Sequence, residues 1–167
     1  MLTLIHLDRH PVEALQALRQ GEVDVALIYR HADDPVEDEG FRLVHVVDDP
    51  IYLVSRQPDD SIANHRRSAW IGGCERCRDE LLTLCRRAGF TPRIASASDD
   101  MVVVQALVAA GIGVTTLPGL ALQAHRRPDV HATELTDFPR QIYAATYGEP
   151  PDPPATVALI QAIRDSV

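Results

Sequence analysis

Cys74-Glu75-Arg76-Cys77 is the first place in this sequence where residue type and spacing together suggest chemistry. The two thiols share one helical turn, because the pair follows an extended segment, Ser68 to Ile71, and opens a helix predicted from about Cys74 to Ala88. A helix start lowers a thiol pKa, so Cys74 and Cys77 could form a redox dithiol, with Cys85 two turns further along roughly the same side. The plainer reading is structural, with Cys77 and Cys85 filling a core and Cys74 occupying the first turn. Three cysteines without a nearby fourth ligand do not make a zinc site, and no metal is expected.

Other chemistries lack their residues. The seven histidines, at 6, 10, 31, 45, 65, 125 and 131, are dispersed and form no His-Glu-x-x-His pair. None of the serines sits in a Gly-x-Ser-x-Gly elbow. All sixteen basic residues are arginine, which removes a phosphate-loop lysine, a Schiff-base lysine and a lysine general base. Gly111-Ile112-Gly113 closes a helix and leads into a strand, the reverse of a dinucleotide-binding loop, so no cofactor is expected. The sequence reads as a non-enzyme. The enzyme alternative is a thioredoxin-like oxidoreductase using the same dithiol, against which no compact domain of thioredoxin length surrounds Cys74.

With 167 residues, 46% hydrophobic and 24% charged, the chain has the composition of a globular protein of one domain or two small lobes. Its net charge of −8 argues against a nucleic-acid surface, so any DNA contact must come from another polypeptide segment. No apolar run suits a membrane span, and Met1 to Ile5 lacks the features of an export signal, which places the expected compartment in the cytoplasm and disfavours a periplasmic solute receptor.

Strand and helix signals alternate along most of the chain, giving an α/β class with mostly parallel pairing. Leu2 to Leu7 reads as a strand, followed by a helix burying Val12, Leu15 and Leu18 and stopped by Gly21. Val25 to Tyr29 is a continuous apolar strand, of the kind covered on both faces, and Phe41 to Val47 and Ile51 to Ser55 are β-prone segments separated by Asp48-Asp49-Pro50. Ser98 to Gly119 reads as a helix capped by Ser98 or Asp99, carrying Val102, Val103, Leu107 and Val108, then a glycine stop and a strand. In open α/β sheets ligands bind beyond the carboxyl ends of strands, where helix starts offer free N–H groups. That rule selects Asp8, Tyr29 with Arg30, Gly72-Gly73-Cys74, and Ser98. Gly72 and Gly73 would let a ligand approach the backbone.

Three segments then carry a resemblance: Glu13-Ala14-Leu15 through Leu18-Arg19-Gln20-Gly21-Glu22-Val23-Asp24-Val25-Ala26-Leu27; Asp48-Asp49-Pro50-Ile51-Tyr52-Leu53-Val54; and Val104-Gln105-Ala106-Leu107-Val108-Ala109-Ala110-Gly111-Ile112-Gly113-Val114 with Leu117-Pro118. Together they resemble the effector-binding domain of LysR-type transcriptional regulators across nearly the whole chain. The resemblance implies a type II periplasmic-binding-protein-like fold, with lobe one formed by residues 1–49 and 141–167 and lobe two by residues 50–140. It implies a small-molecule effector in the cleft, held near Asp8 and Arg9, at the Tyr29 strand end and at Gly72 to Cys74. A redox sensor on the same fold would use Cys74 and Cys77. Two family elements find no counterpart, the N-terminal helix-turn-helix and the first strand-helix unit. DNA contact through this chain is therefore not expected, whereas self-association is. Asp8 stands where relatives often present a hydroxyl, which disfavours a carboxylate effector at that point.

Overall fold

A computed structural model describes residues 11–31 and 40–167. The expected Leu2 to Leu7 strand, and Asp8 and Arg9, lie outside the described residues. The chain divides into two compact units, Met1–Asp48 with Arg140–Val167, and Asp49–Pro139.

Helix α1 (Pro11–Arg19) opens the described part of unit 1, ahead of strands β1 (Ala26–His31) and β2 (Phe41–Asp48). The later strand β8 (Arg140–Tyr147) lies between β1 and β2, antiparallel to both. Leu18 of α1 packs with Ala26, Ile28 and Ala145 of the sheet. Val12 was expected in that stripe, yet it is 70% exposed; Ala14, Leu15, Ala17 and Leu18 form the inward face instead. Helix α5 (Pro154–Arg164) closes the unit and approaches β2. Ahead of it, Arg42 on β2 donates from Nε to the Gly148 carbonyl (2.8 Å) and grips Asp152 with both terminal nitrogens.

Unit 2 is built on β3 (Ile51–Ser55), β4 (Ala69–Gly72), β5 (Arg93–Ala97), β6 (Thr115–Pro118) and β7 (His131–Glu134). Strand β3 pairs antiparallel with β6 and β7, while β4 and β5 pair in parallel. One parallel bridge, Trp70 to Val114, joins the two groups, with the Ile71 N–H donating to the Val114 carbonyl at 2.8 Å. Residues two apart share a face of a strand and neighbours do not, so Leu53 and Trp70 point one way and Val54 and Ile71 the other. On the first side Leu53, Trp70 and Val114 meet Leu81 and Cys85 of α2 (Glu75–Arg87). On the second, Val54, Ile71 and Leu117 meet Val104 and Val108 of α3 (Met101–Ala109) and Leu122 of α4 (Gly119–Ala124). The buried members of α2 are Leu81, Leu84 and Cys85, and those of α3 are Val104, Gln105 and Val108. Val102 and Val103 were expected inside but are 50% and 44% exposed, because α3 starts at Met101 and this phase turns them outward.

The expectation of mostly parallel pairing fails among the described strands, where only β4 with β5 and the Trp70 bridge are parallel. The apolar run Val25 to Tyr29 suggested cover on both faces. In the structure Ala26 and Ile28 are buried and Leu27 is 53% exposed, the alternation of a sheet covered on one side, hidden in the sequence because its outward residue is also apolar.

Two glycines are required where they stand. Gly111 ends α3 at a φ of +76°, a backbone conformation that side chains strain. A Cβ on Gly113 would lie 2.7 Å from the Ala69 carbonyl oxygen, so this glycine lets β6 approach β4.

Candidate ligand site

The parallel pair β4 and β5 ends at Gly72 and Ala97, which are partners in register, and the Ser98 N–H donates to the Gly72 carbonyl at 3.0 Å. A helix follows each strand. Parallel strands point the same way, so α2 and α3 begin beside each other at the carboxyl edge of the sheet, and their first-turn N–H groups face the same region. Of the residues selected from sequence, Gly72, Gly73, Cys74, Cys77 and Ser98 are thus gathered at this edge.

The two helix starts are capped differently. Asp100 caps α3, its Oδ1 accepting from the Val102 N–H (2.8 Å) and the Val103 N–H (3.2 Å). Sequence had offered Ser98 or Asp99 for that role; Ser98 instead steadies the cap, its Oγ accepting the Asp100 N–H at 3.2 Å. At α2 the cap is Cys74, whose sulfur accepts from the Cys77 N–H at 3.4 Å. Sulfur is a weak acceptor, so the first turn of α2 keeps its positive character with no side-chain oxygen at the cap position.

The Cys74 and Cys77 sulfurs lie 2.8 Å apart, both half-buried, and both thiols are free. Burial, with the Cys74 sulfur and the Glu80 carboxylate nearby, pushes the Cys77 thiol up to about 12. Cys85 is fully buried among Leu53, Trp70 and Leu81, and burial lifts it to about 11. The direction at Cys77 is opposite to what its helix-start position alone suggested.

Tyr29 and Arg30 belong to unit 1 and sit near the end of β1. The Arg140 guanidinium lies over the Tyr29 ring, 4.4 Å from its centroid. Arg30 is opposite Gln141 in register.

One polar cluster was not foreseen. Asp60, in the loop after β3, is buried, and its Oδ2 accepts from the Ser55 hydroxyl (2.6 Å) and from His65 Nε2 (2.6 Å). Its Oδ1 accepts from the Ser61 N–H (2.8 Å) and Asn64 Nδ2 (3.0 Å). Burial alone would raise the Asp60 carboxyl, but the hydrogen bonds from Ser55, Asn64, His65 and Ser61 outweigh it and bring the pKa to about 2. The ring passes the constraint on, with Nδ1 3.0 Å from Ser68 Oγ, and the His65 carbonyl accepts from Trp70 Nε1 at 3.1 Å. Asp60 and His65 stand five apart, His65 closing a single 3-10 turn (Ile62–His65) that is too short for periodicity to mark them. Among the described residues no group of three metal-ligating side chains occurs, and no helix is long and apolar enough to cross a membrane.

Comparison with known proteins gives this arrangement its context. Residues 4–167 match the LysR substrate binding domain. The chain belongs to that family. The HTH-type transcriptional regulator TfdS of Cupriavidus pinatubonensis (strain JMP 134 / LMG 1197) is 28% identical over 137 residues, covering 75% of this chain and 45% of that protein. This LysR substrate-binding domain therefore spans about half the length of that curated relative. Among solved structures, the regulatory domain of Synechocystis PCC6803 CcmR in complex with 2-PG superimposes with a TM-score of 0.75 at 14% identity, covering 94% of this chain and 79% of that one. The effector binding domain of QuiR in complex with shikimate gives 0.70 at 14% identity, covering 93% and 77%. The fold is the type II periplasmic-binding-protein-like fold of LysR substrate-binding domains.

Proposed function

We propose that this chain is the effector-sensing part of a LysR-type transcription regulator, its two units being the two lobes of the effector-binding domain. In unit 2 the effector meets the edge formed by Gly72, Gly73, Cys74 and Ser98. The single observation that carries the reading is the sulfur-capped start of α2: a weak acceptor stands where an oxygen cap is usual, so a ligand oxygen can take the first-turn N–H groups. The effector is accordingly a small oxygen-rich metabolite, and the relatives solved with 2-PG and with shikimate support that class. Asp8, Arg9, Tyr29 and Arg30 are proposed as further contacts on the family resemblance. DNA recognition is assigned to the helix-turn-helix of the full regulator rather than to this acidic chain, which carries a net charge of −8. Acting on DNA in a bacterium, such a regulator works in the cytoplasm, without enzymatic activity. Self-association is supported by Leu27 and Val44, both exposed and both opposite Ala144 across the unit 1 sheet.

The test is the variant Cys74→Asp, titrated calorimetrically with shikimate and a panel of small hydroxy acids. An oxygen cap stabilises α2 by about 1 kcal/mol while filling the N–H groups and adding a negative charge. The expected result is a more stable protein that no longer binds the acid bound by the parent chain. Acid binding that persists in Cys74→Asp and is also unaffected by Arg56→Gln, a residue at the other end of β4 and β5, refutes the site.

A second reading, redox sensing by Cys74 and Cys77, is favoured by the closeness of the two sulfurs. A hydroperoxide would oxidise the two thiols to one disulfide, itself reduced to an alcohol and water. Loss of two titratable thiols on peroxide treatment, absent in Cys74→Ser with Cys77→Ser, would establish it; an unchanged thiol count removes it.

A further inference from the structure

Unit 2 has a second concavity, at the opposite ends of β4 and β5 from the helix starts. It is an open concavity of about 660 Å³, within the range of roughly 300–1,000 Å³ common to small-molecule sites. Arg56, Gln57, Ser68 and Arg93 are among its polar lining, and the segment Gly111 to Val114 lines it as well.

Two features make this more than a dent between loops. Arg56 and Arg93 share the pocket, yet neither donates a hydrogen bond or pairs with a carboxylate among the described residues. Arg56 is held against Gly111, where an added Cβ would come 2.9 Å from its Nη1, at the carboxyl end of α3 whose dipole favours a cation. Behind the arginines stands the buried network described above. Asp60 is fully engaged by Ser55, His65, Asn64 and the Ser61 N–H, so it does not neutralise the pocket. His65, itself buried, lines the pocket and fixes Ser68 Oγ at its wall. Two like charges lining one pocket without a counter-ion among the described residues repel, and an oxyanion accepting from both removes that repulsion. Ile112, 48% exposed in the same lining, offers an apolar surface to the rest of a ligand.

We propose that this pocket binds a small organic oxyanion, a carboxylate or a phosphate monoester, held by the guanidinium groups of Arg56 and Arg93, with Ser68 and Gln57 adding neutral hydrogen bonds and Ile112 packing on its apolar body. The site is separate from the α2 start and does not rest on the effector reading.

The experiment titrates the parent chain and Cys74→Asp with benzoate, phenyl phosphate and benzyl alcohol, by calorimetry and by the shifts of the arginine Nε–Hε signals in NMR spectra. Saturable binding of benzoate or phenyl phosphate but not of benzyl alcohol is expected, retained in Cys74→Asp and weakened about tenfold or more in Arg56→Gln and in Arg93→Gln. Preference for benzoate assigns a carboxylate, and preference for phenyl phosphate a phosphate monoester. Both arginines are exposed, so these variants keep the fold, and Ile112→Asp provides an independent charge-based block of the same pocket. No saturable binding of either anion, or binding that survives both arginine substitutions, overturns the proposal. Failure of the effector reading shows separately, as a hydroxy acid whose binding neither Cys74→Asp nor Arg56→Gln weakens.

Discussion

Replacing Asp60 by Asn tests whether the loop between β3 and β4 is held by a charged centre or only by packing. The carboxyl is almost wholly enclosed, with 1% of its side-chain surface exposed, and its pKa falls from 3.8 to about 2 on folding. Lowering it by that amount makes the charged form about 2.5 kcal/mol more favourable in the folded chain, an order-of-magnitude figure. The sign follows from the direction: stability is fully present above about pH 4, where the unfolded carboxyl is ionised, and is lost as pH falls toward about 2. Near pH 3 roughly 1 kcal/mol of it should be gone. Asn keeps one acceptor oxygen but turns an amide toward the Ser55 hydroxyl and His65 Nε2. Urea unfolding of the parent and Asp60→Asn should therefore show a gap of at least about 2 kcal/mol at neutral pH that narrows below about pH 4. A gap that stays constant down to about pH 3, or no gap at neutrality, would falsify this account of the network.

The neighbouring glycines at the ligand edge should behave differently. A Cβ on Gly72 meets nothing closer than 3.6 Å, whereas one on Gly73 lies 3.0 Å from Cys77 Cβ, so Gly72→Ala should leave the melting temperature unchanged and Gly73→Ala should lower it by shifting the first turn of α2. Leu81→Ala should cost about 2–5 kcal/mol in denaturant unfolding, because the 1%-exposed side chain leaves a cavity between α2 and the sheet. Arg42→Gln removes the tie from β2 to Gly148 and Asp152, and faster amide exchange in α5 with β5 unaffected is the expected result.

Much of the helix and strand order was legible in the sequence, since caps, glycine stops and β-prone runs are local signals. Gly111 and the Asp48-Asp49-Pro50 break are examples, with β2 ending at Asp48 and β3 beginning at Ile51. The phase of short apolar helices was not: α3 carries valine on several faces, so the sequence could not separate buried Val104 from exposed Val103. Pairing direction was equally hidden, because Leu27 disguised a one-sided strand. The strand-end rule selected Gly72 to Cys74 and Ser98, and the structure brings these residues together where α2 and α3 begin; that they hold a ligand is the proposal made above. The cap actually chosen by α3, Asp100, was one of three adjacent polar residues that local preference cannot rank. Asp60, His65 and the pocket arginines Arg56 and Arg93 depend on loop paths that bring together residues from Ser55 to Val114, and nothing short of the tertiary fold announces them.

The two-sided sheet of unit 2 has an evolutionary consequence. The starts of α2 and α3 stand at one edge, but each helix rests on its own side-chain layer, Leu53, Trp70 and Leu81 for one and Val54, Ile71 and Val104 for the other. Thickening or thinning one layer by a methyl group shifts one helix start relative to the sheet while the other keeps its seat. The aperture between them is thus adjustable from either interior. With the effector at that edge, as proposed above, a lineage can recalibrate which small molecule fits by drift in residues that never touch it, and sequence comparison restricted to contact positions would overlook part of what sets selectivity.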